Sequence, residues 1–483
     1  MGIVRLLAAL VALVSLWSGP SWSAFAAERS PLSDALARTL DTHPTALRTT
    51  VTLKVVDLAT GETLFDRHGG RLLVPASNLK IYTAACALDL FGPTHRFTTT
   101  LQARGALRDG VLTGNLVLVG GGDSMLTHEQ LAEFARRAVA EWSLREIRGE
   151  VLVDNSRYAP RLKGPGWMWD DEPDYYNMSV TPLMLDFNLL TVRAAQQPGG
   201  VPAAAFVPPS DAPELRQSVS PEISTPRITR APFTEPVVVE LPTALAEPVE
   251  DELTMHDPGP WAAGVLRAML VDAGVRMAPN MGRNERPGAP AVEIEGPVAA
   301  ELSLAGPPLA ETIDHFHAVS ENAVGEVLLH EIAIRQGVKR PDWPDGSAAI
   351  TAWLQDAAGL PAGSFRLVDG SGLSRYNLIS ADSAVRLLAF MNQHEHGGVF
   401  FDSLPQYKLD DATAADAPVV IAAKSGGMQS VSTISGYLRT RRGQLLAFSL
   451  LANGYIGDNA PVFDLRQKVW RLLADYDRQP QPQ

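Results

Sequence analysis

The sequence predicts an α/β (α+β) fold in which an antiparallel sheet is flanked by helices and a large, mostly-β insertion interrupts the chain. Strand-like segments lie near both ends of the chain, with helix-like segments between them. The middle part, residues 96–299, has a different sequence pattern, in which short strands are joined by stretches rich in Pro, Val and Thr. The 483 residues, of which 46% are hydrophobic, suffice for several domains with real cores.

The first residues have the pattern of an export signal. Met1–Arg5 carries one positive charge, Leu6–Trp17 is apolar, and Ala24-Phe25-Ala26 supplies small residues for cleavage. We therefore expect residues 1–26 to be a cleaved signal peptide and the mature protein to be periplasmic or otherwise exported. An uncleaved anchor or a loose membrane association is the alternative, although the apolar run is short for a membrane span.

A strand pair and a helix are expected after the signal. Apolar and polar residues alternate from Val51 within Leu47–Phe65, and Thr60-Gly61 supplies a turn, which predicts two paired strands. After Pro75, apolar residues recur every three or four positions up to Leu90, which predicts a helix with one apolar face.

The insertion is expected to contain short strands and two helices. The strands are predicted at Asn115–Val119 and Glu150–Val153, and the helices at Glu129–Trp142 and Pro260–Ala273. Residues 27–95 and 300–483 would then form one discontinuous domain. Residues 96–299 would form an inserted part of one or two small domains, and we expect two that are nested.

The last part of the chain predicts helices followed by antiparallel strands. The expected helices are Ala323–Arg335, Ile350–Leu360, Ser380–Asn392 and Phe463–Tyr476. The expected strands are Val419–Ala423, Ser432–Arg439 and Gln444–Ala452, the last two forming a hairpin.

Composition argues against several kinds of function. The net charge of −13 without a basic stripe argues against nucleic-acid binding. A single cysteine, Cys86, leaves no internal disulfide. The pairs His315/His317 and His394/His396 have no third ligand nearby, so we expect neither a metal nor another cofactor.

The first candidate for chemistry is Ser77-Asn78-Leu79-Lys80. Ser77 is expected at the start of the helix, and Lys80, three residues later, projects from the same face, so the two side chains can share a proton. A lysine whose pKa is lowered by its surroundings can activate the serine as a nucleophile. Taken alone, the pair also fits a helix-capping Ser beside a solvated Lys.

Two further motifs follow in order and occur once each. They are Ser320-Glu321-Asn322 and Lys424-Ser425-Gly426. The ordered set S-x-x-K, S-x-N and K-[ST]-G predicts a serine enzyme that works through an acyl intermediate. Ser320 is expected to hydrogen-bond Lys80 and help pass its proton to the leaving amine. Asn322 is expected to hold a substrate peptide group, to cap its helix, or both.

The third motif is expected to bind the substrate. Lys424, at the end of the strand Val419–Ala423, would attract a carboxylate together with the Ser425 hydroxyl, beside Gly426. The edge of that strand can pair with an extended peptide. Backbone N–H groups of Ser77 and Gly427 would form an oxyanion hole.

With these motifs the chain resembles the D-Ala-D-Ala carboxypeptidases/endopeptidases of the class C low-molecular-mass penicillin-binding proteins, from about residue 45 to about residue 470. Other segments that resemble the family are Gly121–Leu126, Gly164–Asp171, Pro307-Pro308-Leu309 and Asp369–Arg375. The resemblance implies a penicillin-binding/β-lactamase-like transpeptidase domain.

The resemblance also implies a function. It is cleavage of peptidoglycan stem peptides through an acyl-enzyme on Ser77, inhibited by β-lactams and needing no cofactor. Asp171 would reach the amine of a diaminopimelate side chain, and Arg375 would line the cleft. The balance between carboxypeptidase and endopeptidase activity and the oligomeric state stay open.

The chain departs from the family pattern at three places. The third motif is K-S-G rather than K-T-G, Ser124 replaces a Pro, and Leu404–Pro418 lacks the family's G-T-L…R stretch. The last change bears on one wall of the cleft and on catalytic competence. Two alternatives are a serine β-lactamase with Tyr175-Tyr176-Asn177 as its second motif, and a catalytically impaired cell-wall binding protein.

Overall fold

The computed structural model describes residues 30–234, 236–277, 296–409 and 419–477. The predicted signal peptide, residues 1–26, lies outside the described residues, as do residues 410–418 of the stretch that lacks G-T-L…R. Within the described part of the chain, no helix has the length and apolar character needed to cross a membrane.

Helices and strands both contribute to the described structure. The helices are α1 (Pro31–Thr42), α2 (Pro44–Arg48), α3 (Lys80–Phe91), α4 (His128–Glu141), α5 (Pro258–Asp272), α6 (Leu309–Ala318), α7 (Asn322–Arg335), α8 (Trp343–Asp356), α9 (Ala381–Gln393), α10 (Gly397–Ser403) and α11 (Ala460–Ala474). The strands of the N-terminal half are β1 (Thr50–Asp57), β2 (Thr63–Arg67), β3 (Thr98–Arg108), β4 (Val111–Val119), β5 (Asp123–Leu126), β6 (Glu146–Ile147), β7 (Val151–Asp154), β8 (Leu183–Leu185), β9 (Leu189–Gln196), β10 (Pro202–Val207), β11 (Leu215–Val219), β12 (Arg227–Arg230) and β13 (Val237–Leu241). The remaining strands are β14 (Val249–Thr254), β15 (Arg276–Met277), β16 (Val298–Ala305), β17 (Phe365–Arg366), β18 (Leu378–Ile379), β19 (Gln406–Tyr407), β20 (Val420–Met428), β21 (Val431–Arg439) and β22 (Leu445–Asn453).

One six-stranded sheet joins the two ends of the chain, in the order β19-β20-β21-β22-β1-β2. All its neighbouring strands are antiparallel, and the predicted hairpin is confirmed as β21 and β22. The prediction that β20 ends at Ala423 is wrong, because the strand continues to Met428 and pairs Lys424 with Ser435. The K-S-G motif therefore lies within the sheet.

Helices cover both faces of this sheet, as predicted. Along β22, Phe448 and Leu450 are buried with residues of α1 and α11, whereas Ala447 and Leu451 are buried with residues of α3, α7 and α9. Successive residues of a strand point to opposite faces. An almost wholly apolar strand such as β22 is therefore what a sheet buried on both sides requires.

The chain between β3 and β16 forms sheets of its own around a separate apolar cluster, which includes Leu116, Phe134, Val239 and Trp261. One sheet has the order β15-β6-β4-β3-β16, and two three-stranded sheets have the orders β10-β9-β14 and β11-β13-β12. The mostly-β character of this part is thus confirmed. The domain boundaries, including the two nested small domains, stay a prediction, and β16 runs past the predicted boundary at residue 299.

Two local predictions are wrong at helix starts. Leu47 was expected in a strand but lies in α2, which begins with Pro44, a residue favoured in the first turn of a helix. α8 begins at Trp343 rather than Ile350, because Asp342 takes part in a capping box just before it. A capping box satisfies backbone N–H groups that the apolar periodicity alone does not reveal.

Candidate active site

Ser77 lies in a 3₁₀ turn that leads directly into α3. Two strand residues hold this turn in place. Thr433 Oγ1 donates a hydrogen bond of 2.6 Å to Pro75 O, and Asn78 Nδ2 donates one of 2.8 Å to Lys424 O. The Ser77 side chain is only half-buried, so its hydroxyl can be reached by a substrate.

The backbone around this turn is tightly packed. Ala76 has a φ of +48°, which residues other than glycine rarely adopt. A Cβ atom on Gly426 would meet Pro75 O at 2.3 Å, and one on Gly372 would meet Ala76 O at 2.0 Å. Glycine at these two positions therefore lets β20 and the loop of residues 369–375 approach the serine turn.

Lys80 is fully buried beside Ser77. Its Nζ lies 3.0 Å from Ser77 Oγ, 2.6 Å from Asn322 Oδ1 and 2.8 Å from Ser371 O. Burial, and then repulsion by Lys424, lowers the pKa of Lys80 to about 7. A neutral amine can donate to Asn322 and Ser371 while its lone pair faces the serine hydroxyl. The alternative of a solvated lysine is wrong.

Asn322 is the first residue of α7 and does not cap it. The cap is Glu321, whose carboxylate accepts a hydrogen bond of 3.1 Å from Ala323 N. Asn322 Oδ1 accepts from Lys80, and Asn322 Nδ2 donates to Tyr176 O at 2.9 Å. The amide therefore orients the lysine and ties it to the insertion, with one N–H and one lone pair left for a substrate.

Ser320 contacts Lys424 rather than Lys80. Its Oγ accepts a hydrogen bond of 3.0 Å from Lys424 Nζ, which also donates to Ser425 O at 2.9 Å. The expected Ser320–Lys80 hydrogen bond is wrong, since the Lys80 amine is already engaged by Ser77, Asn322 and Ser371. Ser320 has a φ of +64°, a sparsely populated conformation often found at functional sites. Burial lowers the pKa of Lys424 to about 8.

Strand β20 offers an open edge beside the serine. β19 pairs with it only at Ile421 and Ala422, so among the described strands the part from Lys424 onward pairs with β21 alone. An extended peptide can add to such an edge. Gly427 is exposed on this part, and its N–H, with that of Ser77, stays the predicted oxyanion hole.

Ser425 is held by Tyr407, a contact that the motifs did not predict. Tyr407 OH donates a hydrogen bond of 3.0 Å to Ser425 Oγ. The contact fixes the Ser425 hydroxyl on the Tyr407 side of the strand, and its role toward a carboxylate stays a prediction. Tyr407 lies in the stretch that lacks G-T-L…R, so the altered wall still contributes to the third motif.

Asp171 and Arg375 lie within electrostatic reach of each other. Asp171 Oδ1 accepts a hydrogen bond of 3.1 Å from Tyr176 OH, and both Nη atoms of Arg375 lie 3.3 Å from Gln429 O. Burial raises the pKa of Asp171, and the positive charge of Arg375 opposes this shift. Gln429 directly follows β20, so Arg375 borders the end of that strand. The roles of the two residues toward substrate stay a prediction.

The alternative second motif, Tyr175-Tyr176-Asn177, does not place its Asn beside the lysine. Asn177 is buried, and its Nδ2 donates to Met168 O at 3.1 Å. Tyr176 contributes its carbonyl oxygen to Asn322. The amide next to Lys80 therefore comes from the S-x-N motif.

Two neighbours of the lysine were missed from the sequence. Ser371 supplies a carbonyl oxygen, which no side-chain pattern reveals. Glu326 lies four residues after Asn322 in the mostly apolar stretch Ala323–Ala333, which also contains His330 and Glu331, and this spacing on one helix face was the available signal. Within the described ranges, no three His, Cys, Asp or Glu side chains are grouped so that they could hold a metal ion.

Comparison of the sequence with known proteins gives a match over almost the whole chain. Residues 32–475 match the D-Ala-D-Ala carboxypeptidase 3 (S13) family. A D-alanyl-D-alanine carboxypeptidase from an Actinomadura species is 31% identical over 447 residues, which cover 87% of this chain and 80% of that protein. The D-alanyl-D-alanine carboxypeptidase DacB of Haemophilus influenzae is 24% identical over 438 residues, covering 85% and 88% of the two chains.

The fold also matches solved structures. The crystal structure of penicillin binding protein 4 (dacB) from Haemophilus influenzae has a TM-score of 0.73 at 22% identity and covers 92% of this chain and 100% of that chain. The same protein complexed with a β-lactam has a TM-score of 0.68 at 20% identity, covering 92% and 99%. The predicted penicillin-binding/β-lactamase-like fold is confirmed.

Proposed function

Because the chain belongs to the D-Ala-D-Ala carboxypeptidase 3 (S13) family, we propose that it cleaves D-Ala-D-Ala peptides through an acyl-enzyme on Ser77. Membership makes the chain a serine-type hydrolase of the D-Ala-D-Ala carboxypeptidase class. The observation that carries the assignment of Ser77 is the fully buried Lys80 amine, 3.0 Å from Ser77 Oγ. A buried amine with a pKa near 7 is a suitable general base at neutral pH.

Acylation begins with proton transfer from Ser77 Oγ to the neutral Lys80 amine. The oxygen attacks the carbonyl carbon of the penultimate D-Ala, and the carbonyl oxygen becomes an oxyanion. We place this oxyanion against the N–H groups of Ser77 and Gly427. Asn322 and Ser371 accept from the lysine throughout, so the base is held in place while its charge changes.

Collapse of this intermediate breaks the C–N bond and leaves an ester on Ser77. The leaving amine of the terminal D-Ala needs a proton, and we assign its delivery to the Ser320 hydroxyl. Lys424 donates to Ser320 Oγ, so it can replace the proton that Ser320 gives up. Lys80 then releases to solvent the proton that it took from Ser77, and Lys424 takes one up, so both amines return to their starting states. Water attacks the ester with the neutral Lys80 again as the base, and the proton passes to the Ser77 oxygen as the ester bond breaks, which regenerates the free serine.

Substrate binding is assigned to the third motif and to the rim of the cleft, which is formed by Asp171 and Arg375. The terminal carboxylate would lie against Lys424 and the Ser425 hydroxyl, and the peptide would pair with the open edge of β20 near Gly426. Asn322 has one amide N–H left for a substrate carbonyl. Asp171 would bind a side-chain amine, and Arg375 would line the cleft.

The cellular setting follows from the same assignment. Peptidoglycan stem peptides carry D-Ala-D-Ala, so a family member that cleaves them acts outside the cytoplasm, in agreement with the predicted signal peptide. β-Lactams would acylate the same serine, and the Haemophilus relative has been solved with one bound. Whether removal of terminal D-Ala or cleavage of cross-links predominates is tested by offering both substrates.

The experiment mixes the mature protein with benzylpenicillin and follows its intact mass over time, beside the Ser77→Ala variant. We expect a persistent one-to-one adduct in the wild type and none in the variant. An adduct that forms and quickly disappears would identify a β-lactamase instead. Absence of any adduct would overturn the assignment of Ser77 and favour a cell-wall binding protein.

A further inference from the structure

Glu326 is a buried carboxyl group that the proposed mechanism does not use. It follows Asn322 by four residues in α7, so both side chains lie on one face of the helix. None of its surface is exposed. Its carboxyl oxygens accept hydrogen bonds from Gly370 N at 3.2 Å, Ser371 N at 2.9 Å and Trp343 Nε1 at 2.7 Å.

These contacts complete a closed ring of hydrogen bonds that includes the Lys80 amine. Ser371 donates its N–H to Glu326 and accepts a hydrogen bond of 2.8 Å from Lys80 on its carbonyl oxygen. Lys80 also donates to Asn322 at 2.6 Å, and one turn of α7 joins Asn322 back to Glu326. A shift of Glu326 would therefore move the carbonyl that holds the amine against Ser77.

The loop that carries Ser371 has little room to take another position. A Cβ atom on Gly370 would meet Gly325 O at 2.0 Å, so the loop backbone touches the backbone of α7. Asp369 accepts hydrogen bonds from the backbone N–H groups of Gly372 and Ser374 at 2.9 and 2.6 Å. Glu326 thus holds one end of a loop that is already compact.

Charge couples the same groups. The titratable groups that face Lys80 are His317 of α6, Glu321, which caps α7, Glu326 of α7, Asp369 of the loop and Lys424 of β20. Glu321, Asp369 and Glu326 favour the charged form of Lys80, whereas burial and Lys424 oppose it. Burial and the nearby Asp369 raise the pKa of Glu326, while its hydrogen-bond donors favour the carboxylate.

We propose that Glu326 is a positioning residue that fixes the Ser371 carbonyl against Lys80 and thereby sets the geometry and charge state of the base. This role rests on the proposed acyl-enzyme function. It predicts that Glu326 affects both the rate of acylation and its dependence on pH, although the side chain cannot touch the substrate from its buried place.

The test measures the second-order rate constant of acylation by benzylpenicillin as a function of pH, with melting temperatures alongside. In Glu326→Gln, one oxygen must serve three donors, so the rate at the optimum should fall about ten- to hundredfold. The rising limb of the profile should move to lower pH on its alkaline side, because Glu326, whose pKa burial and Asp369 raise to about 8, gains there a charge that favours the ammonium, and Gln cannot. In Glu326→Asp the titratable carboxyl group is kept but the reach is shorter, so the rate should fall without that shift.

Glu331→Gln is the matched control. Glu331 is a buried carboxyl group of the same helix that binds Arg157 and Tyr158 instead, so its variant should keep the wild-type rate and limb. A folded Glu326→Gln with wild-type rate and limb would overturn the proposal, as would an equal effect in Glu331→Gln.

Two further results are decisive. If Glu326→Gln does not fold, Glu326→Asp decides, and a wild-type rate in that variant would overturn the role. If the wild type is not acylated, or Ser77→Ala still is, the proposed function itself fails, and the role of Glu326 fails with it.

Discussion

Asn322 Oδ1 accepts a hydrogen bond of 2.6 Å from Lys80 Nζ, so the second motif holds the base of the first. The contact joins α3 to α7, which are far apart in the chain and separated by the insertion. The other end of the amide donates to Tyr176 O, a backbone atom of the insertion. Asn322 therefore positions the Lys80 amine, in addition to the substrate contact proposed for it.

The first prediction concerns this contact. Asn322→Asp places a carboxylate beside the Lys80 amine, which raises the pKa of Lys80 above about 7. Because the base must be neutral to act, the rising limb of the acylation profile should move to higher pH. The rate at pH 7 should then fall at least about tenfold. Benzylpenicillin acylation followed by intact mass measures both effects.

Asn322→Ala serves as the control for this prediction. It removes the acceptor without adding a charge, so the rate should fall but the limb should not move to higher pH. The interpretation would be wrong if the Asp and Ala variants gave the same limb.

The second prediction concerns the pH dependence of peptide cleavage. Lys80 must be neutral as a base, so kcat/KM should rise as the pH passes about 7. Lys424 must be protonated to attract the substrate carboxylate, so kcat/KM should fall as the pH passes about 8. The two lysines repel each other, so the apparent values belong to the pair. The plot of kcat/KM against pH should therefore be bell-shaped, with a narrow maximum near neutral pH.

A substrate ending in an amidated D-Ala tests the falling limb. Because it has no carboxylate for Lys424, its kcat/KM should be lower and should decline less near pH 8, since only the proton that Lys424 supplies through Ser320 is then lost. A decline of equal size for both substrates would show that the falling limb has another origin.

The third prediction concerns the rim residues Asp171 and Arg375. Asp171→Asn should reduce kcat/KM about two- to fivefold for a peptide with a side-chain amine, since the carboxylate is only partly buried. The rate of acylation by benzylpenicillin, which lacks that amine, should not change. Comparing peptides with and without the amine measures the effect, and a loss that is equal for both would contradict the assigned role of Asp171.

Most of the fold was predictable because the sheet is regular. Alternation and apolar runs identified β1, β21, β22 and most helices. The errors arose where tertiary or capping interactions decide. β20 extends through Lys424 because β21 pairs with it as far as Met428. α8 starts early because Asp342 caps it.

The site was predictable as a set of motifs but not as a network. Motif order brings Ser77, Lys80 and Asn322 together correctly. The partners of each group depend on distances that no spacing encodes, so Ser320 was assigned to Lys80 although it contacts Lys424. Lys80 is bound by the backbone carbonyl of Ser371, and Glu326 binds the backbone N–H groups of Gly370 and Ser371. Contacts made by backbone atoms leave little trace in a sequence.

The fourth prediction concerns the stability of the insertion. Arg230 and Glu172 form an ion pair of 2.6 Å in which each side chain is 1% exposed. Arg230 also donates to Thr254 O and Thr234 O. Arg230→Met leaves the Glu172 carboxylate buried without this partner, so the free energy of unfolding should fall by about 3–5 kcal/mol. Urea denaturation measures the change.

The exposed pair Arg216–Glu214 provides the matched control, since its side chains are 60% and 59% exposed. Arg216→Met should leave the free energy of unfolding nearly unchanged, because water screens the pair and takes its place when it is broken. Equal losses in the two variants would mean that the volume or packing of the arginine, rather than the buried charge, determines stability. A smaller loss in Arg230→Met than in Arg216→Met would contradict the burial of the pair itself.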